Sequence, residues 1–109
     1  MDNVCITVDT GICGFPCQVK AWKKDKRIAG LDISGSECKM IQKLSAALSE
    51  LSINDLFLPL TKNPIFIHAE RAACHLACPV PVAVAKAAEV ALGLAVAKEV
   101  TLRFEKGCD

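Results

Sequence analysis

A chain of 109 residues, 52% of them hydrophobic and 23% charged, is sized for one compact domain with an apolar core, so residues 1–109 are read as a single domain. Lysine plus arginine number 13 against 12 carboxylates, so no excess charge draws the chain to nucleic acid or an anionic membrane surface, and neither partner is expected. Met1-Asp2-Asn3 leads into a short alternating run with no basic or secretory leader, which points to a cytoplasmic location.

Residues 4–9 alternate, with Val4, Ile6 and Val8 on one face, the period of a half-buried strand. Two glycines and a proline make residues 10–16 a loop. Residues 17–23 and 27–33 flank the polar turn Lys24-Asp25-Lys26 and read as a hairpin. The basic run Lys23, Lys24, Lys26 and Arg27, broken by Asp25, fits a solvated hairpin tip better than a binding patch.

Ser34, Gly35 and Ser36 supply a turn and a cap, and Met40, Ile41, Leu44, Ala47, Leu48 and Leu51 then follow helical spacing, which predicts a helix over 36–51. Residues 52–65 read as a connecting loop with a helical turn around Leu56, followed by a short helix near 66–76. Pro79 and Pro81 are tolerated in or before a first helical turn, and an alanine-rich helix runs on to about Ala95. That apolar stretch carries Lys86 and Glu89 and opens on prolines, which argues against a membrane span. Residues 99–105 alternate again, with Val100, Leu102 and Phe104 expected to face inward as a fourth strand. The resulting expectation is an α+β fold: a four-stranded mixed sheet in β-β-β-α-α-β order with two main helices on one face.

Seven cysteines, an odd number in a chain without an export signal, suit metal ligation or redox chemistry better than structural disulfides. Chain tracing indicates which of them meet. If the first strand runs upward, Cys13 and Cys17 lie at the top; the hairpin descends and returns, so Cys38 opens its helix at the top. The segment from 66 climbs again and delivers Cys74 and Cys78 to the same end. Cys5 starts the first strand at the opposite end and reads as a small buried thiol, while Cys108, near the end of the sequence, is left outside the ligand set.

Cys13 with Cys17 and Cys74 with Cys78 are pairs at i, i+4 that can converge on one centre, and a proline directly after a ligand cysteine, as in Cys78-Pro79, also occurs in bacterial ferredoxins. Iron and sulfur are therefore favoured over zinc. Helix starts at Cys38 and Cys78 are expected to stabilise thiolates. Gly11 and Gly14 are expected to let backbone N–H groups approach sulfur while Phe15 restricts water. Inert packing is the competing account of each thiol, strongest for Cys74 in its alanine-rich surroundings. His75 reads as a surface residue and His68 as a packed one. Phosphate-binding loops, nucleophile elbows and His-Glu-x-x-His pairs are absent from the sequence.

Through CGFPC at 13–17, SGSEC at 34–38 and CHLACPVP at 74–81, the chain resembles a family of small cysteine-rich proteins of unknown function from anaerobic prokaryotes. That resemblance implies no activity, but a ligand set of Cys13, Cys17, Cys38 and Cys78, with Cys74 and His75 next. Residues 78–104 are also similar to the C-P-x-P segment of the TusA sulfurtransferases, which implies a persulfide on Cys78 and a helix start fixed by Pro79 and Pro81. In that family the motif follows the first strand, whereas here three strands and a helix precede it.

The leading expectation is an iron-sulfur protein, most simply with one 4Fe–4S cluster, for electron transfer, cluster carriage or redox sensing. A persulfide carrier using Cys78 and a structural zinc module are the alternatives. The expected partner is a redox or sulfur-handling protein, with a homodimer also compatible with the sequence.

Overall fold

The computed structural model describes residues 3–108. Strands β1 (Val4–Val8), β2 (Cys17–Asp25) and β3 (Ile28–Ser34) form the antiparallel meander the alternation predicts. Helix α1 (Lys39–Ala47) leads to a three-residue strand, β4 (Glu50–Ser52), and then to α2 (Ile53–Leu56), α3 (Pro64–Arg71) and α4 (Val80–Ala91). The fold is α+β with a four-stranded sheet in the order β1-β2-β3-β4.

Register sets which face is buried. Ile6 pairs with Val19 and Val19 with Ile33, while Val4 pairs with Ala21 and Ala21 with Leu31, so one face is apolar across three strands. Helices α1 and α4 cover that face, α4 lying over β2 and β1 and α1 over β3, with α3 packed against both helices. The alanines of α4 allow its backbone to approach closely, and Val80, Ala83, Val84, Ala87 and Ala88 are buried there. The opposite face is polar except for Trp22, whose indole lies over Gly30; a Cβ at Gly30 would come within 2.3 Å of the ring. That close approach is why glycine stands mid-strand.

Four expectations are corrected. The fourth strand is β4, not residues 99–105, and with β4 antiparallel to β3 the sheet is antiparallel throughout rather than mixed. Val100, Leu102 and Phe104 are 59%, 90% and 104% exposed instead of facing inward, because among the described residues no strand lies beside them. The first long helix is shorter at both ends than 36–51. Gly35 adopts φ +78° and the Ser36 hydroxyl accepts the Cys38 N–H at 3.1 Å, so winding begins only at Lys39. At the other end Leu51 is pulled into the sheet, where it is 1% exposed opposite Ala29. The i, i+3 spacing of Leu48 and Leu51 satisfies a helical pattern, but burying Leu51 between sheet and helices stabilises the chain more than one further turn of helix does.

The connection from β4 to α3 is ordered by its polar groups. Ser52 and Asp55 form a reciprocal capping box at the start of α2. Asn63, 6% exposed, donates to the carbonyls of Asp55 and Leu58 at 2.9 and 3.2 Å and accepts the Ile65 N–H at 3.1 Å. No helix among the described residues is long and apolar enough to cross a membrane.

Candidate functional site

At the end of the sheet where β1 finishes and β2 begins, four thiols line one cavity of about 150 Å³: Cys13, Cys38, Cys74 and Cys78. Cys17 opens β2 on its buried face, paired with Val8 and 4% exposed, close enough to Cys78, Cys13 and Cys38 to feel their charge. The five cysteines singled out from the chain trace thus share one end. Cys5 does not join them and is not buried: it lies exposed on the polar face of β1. Cys108 is exposed in the segment that follows α4, and all seven thiols are unbridged.

Each thiol is delivered by a different local device. Residues Gly11–Cys13 form a single 3-10 turn closed by Gly14 at φ +68°, a conformation that favours glycine. Thr10 organises this turn: its hydroxyl accepts the Phe15 N–H at 3.2 Å, and its carbonyl accepts the Cys13 thiol at 3.8 Å. Cys38 is the N-cap of α1, one residue outside the first turn rather than within it.

Cys74 is aimed by a helix ending that the sequence does not advertise. The Cys74 N–H donates to the Ala69 carbonyl and the Ala73 N–H to the Glu70 carbonyl, at 2.9 and 3.0 Å. This pair of bonds is a Schellman closure, which places Ala73 in the left-handed region at φ +61°. Ala73 is the sole non-glycine residue with positive φ among the described residues, a strain of roughly 1–2 kcal/mol set directly beside the cavity. A turn then returns the chain, with the Cys78 N–H on the His75 carbonyl at 3.1 Å, so that Cys78 faces the same cavity. His75 is exposed at the rim.

The thiols differ electrically. Cys13 is held below the ordinary thiol range, chiefly by the Thr10 side chain and next by the Phe15 N–H. In the turn itself the Phe15 N–H is taken by the Thr10 hydroxyl and the Cys13 thiol donates to the Thr10 carbonyl, so Thr10, which composition gave no reason to single out, organises the surroundings of this sulfur. Cys17, Cys74 and Cys78 are pushed up, first by burial and then by neighbouring thiolates. For Cys78 this corrects the helix-start expectation: the Val80 N–H does favour its thiolate, but burial outweighs it.

The remaining lining decides what chemistry fits. Ile12, Phe15, Met40, Ile41, Ala77 and Pro79 supply an apolar wall, and among the described residues no carboxylate faces the cavity. A site without oxygen anions does not suit calcium or magnesium, whereas clustered thiols suit zinc, copper(I) or iron and sulfur. The volume is well below the ~300–1,000 Å³ of sites for drug-sized metabolites. As placed, no three or more His, Cys, Asp or Glu side chains among the described residues close on a single point suited to one metal ion. The thiols surround a space rather than converge on one atom. Ile12 and Leu76, both fully exposed, stand beside it.

Comparison with known families matches residues 4–104 to a family of unknown function. The chain belongs to DUF6951. The match takes in all five clustered cysteines and leaves out only Cys108. No curated protein and no solved structure matches this DUF6951 chain.

Proposed function

We propose that this DUF6951 protein is a metal-thiolate protein that holds an iron-sulfur cluster, most simply 4Fe–4S, on Cys13, Cys17, Cys38 and Cys78. In this reading Cys74 is a neighbouring thiol available for exchange or redox chemistry. The observation that carries the reading is the cavity that Cys13, Cys38 and Cys78 line together with Cys74, with Cys17 buried close by; the choice of Cys17 over Cys74 as fourth ligand follows the family resemblance. Burial and mutual repulsion keep Cys17, Cys74 and Cys78 protonated, and a bound cationic group removes both penalties by replacing the protons. Zinc needs four sulfurs about 2.3 Å from one point, whereas a polynuclear centre takes thiolates spread around a volume; four thiols lining one cavity favour the second. The exposed position of Cys13 and the apolar rim of Ile12 and Leu76 favour a group reached from the surface. That suits passing electrons or the cluster itself to a redox or sulfur-handling partner, more than a sealed structural site.

The persulfide reading draws support from Cys78 alone, just before α4, where the Val80 N–H favours its thiolate. Its raised position on the thiol scale makes it a poor attacking group at neutral pH, and it leaves the other four thiols without a role.

Anaerobic purification with visible absorption, iron and acid-labile sulfide analysis tests the assignment. A brown protein with both elements, whose colour is lost in Cys17→Ser and kept in Cys74→Ser, is the expected result. Colourless zinc protein turns the reading to a structural module. Metal-free protein carrying labile sulfur on Cys78 by mass spectrometry turns it to a sulfur carrier, in which Cys17→Ser leaves loading intact.

A further inference from the structure

The thiol cavity accounts for one end of the molecule and leaves a second feature without a role. Residues 93–108 are exposed throughout, yet 99–105 keep strict alternation, with Val100, Leu102 and Phe104 on one side. The exit of α4 is fixed by a Schellman closure on Gly93 at φ +75°, with the Leu94 N–H on the Glu89 carbonyl at 2.8 Å. From there to Cys108 every residue is exposed and none joins the sheet. The longest dimension, 47 Å against 28 and 27 Å, exceeds the others by about 20 Å, close to the ~23 Å that seven extended residues span.

The sheet has an edge that matches this segment. β1 pairs with β2 on one side only, and its outer backbone groups have no strand beside them among the described residues. Natural sheets guard such edges with charge, proline, bulges or shortness. β1, reading Val-Cys-Ile-Thr-Val, has none of these guards, and four of its five residues are β-branched. Val4 and Ile6 on its inner face are half-buried, packed against the core but open along the edge. The opposite edge is guarded: β4 has three residues, Glu50 is paired with Lys24 at 3.1 Å, and the Ser52 N–H is taken by Asp55 at 2.9 Å.

We propose that two copies of the chain form a two-fold dimer in which residues 99–105 of each add a fifth strand to the β1 edge of the other. An unguarded edge and an exposed alternating segment outside the sheet, both in one chain, satisfy each other twice in a symmetric pair. Val100, Leu102 and Phe104 then cover the open flank of Val4 and Ile6. The exchange involves no cysteine ligand, so it is independent of whether the cavity holds a cluster.

Light scattering behind size exclusion, on the full chain with metal and after chelation, tests this together with hydrogen exchange. The expected result is twice the 11.6 kDa chain mass in both states, with amides of 99–105 and the outer amides of β1 protected. Leu102→Asp, or a chain ending at Lys98, should raise the dimer dissociation constant at least ten-fold and expose both sets of amides, with helicity by circular dichroism unchanged. A monomer with protected 99–105 amides means that the segment folds onto its own edge and overturns the proposal. So does a dimer that survives Leu102→Asp, or one that exists only with metal bound.

Discussion

At one end of the sheet, five thiols gather where the Gly11–Cys13 turn, the start of α1 and the start of α4 meet. At the other, one buried amide, Asn63, makes three hydrogen bonds that tie the β4–α3 connection together. Both ends are built from loops, but their polar groups are in opposite states. Every polar atom of the Asn63 side chain that is buried has a partner, which is how a loop becomes part of the stable fold. The thiols crowd one another and are partly buried, so Cys17, Cys74 and Cys78 stay protonated and lose their protons favourably only where something binds there. The first arrangement serves structure, and the second is ready for a ligand.

Substitutions at the two ends should therefore separate binding from stability. Cys38→Ser, at the half-buried cap of α1, should cut iron bound per folded chain at least ten-fold while shifting the stability of the metal-free protein by less than about 1 kcal/mol. Iron analysis and urea unfolding of the same preparation read both. Asn63→Ala should do the reverse, costing about 2–3 kcal/mol at roughly 1 kcal/mol per lost hydrogen bond, with the iron content of the folded fraction unchanged. If the loss of Asn63 also empties the cavity, the two ends are coupled and the contrast fails.

Smaller effects are expected around the thiols themselves. Ala73→Gly removes about 1–2 kcal/mol of left-handed strain and returns up to ~1 kcal/mol of freedom to the unfolded chain, for a net gain of about 0.5–1 kcal/mol in thermal or urea unfolding. The pH dependence of the metal-free protein follows from the raised positions of Cys17, Cys74 and Cys78. Between the unfolded and folded values the native state binds more protons, so their contribution is fully present below the unfolded thiol value and is lost as pH rises through the folded one. The urea midpoint should fall between neutral pH and about pH 9.5, and fall less in Cys78→Ser. Alkylation at neutral pH should mark Cys13 before these three, since Cys13 is both exposed and held low.

The β-hairpin, the two main helices and the convergence of five thiols are legible in the sequence because each rests on a local period or on the alternating direction of successive elements. Leu51 is not, because a residue three after Leu48 fits a helix and a short buried strand equally well, and only the neighbouring Ala29 decides. The chemistry of Cys5 suggests burial, whereas its position between the inward-facing Val4 and Ile6 puts it on the polar face. The left-handed Ala73 carries no signal, since glycine is the residue that marks such an ending and alanine here accepts the strain instead.

Residues 99–105 show where sequence stops. Alternation reads as a strand there, yet the segment stands outside the sheet; the thiol count, the hairpin and the apolar faces are what the sequence alone establishes. What a strand pairs with is a non-local choice, set by the direction in which α4 releases the chain and by which sheet edge stands open. The same holds for the cysteines: their order along the chain puts them at one end, but it takes the packing of α1 and α4 against the sheet to make Cys17 buried, Cys13 exposed and the space between the thiols a cavity.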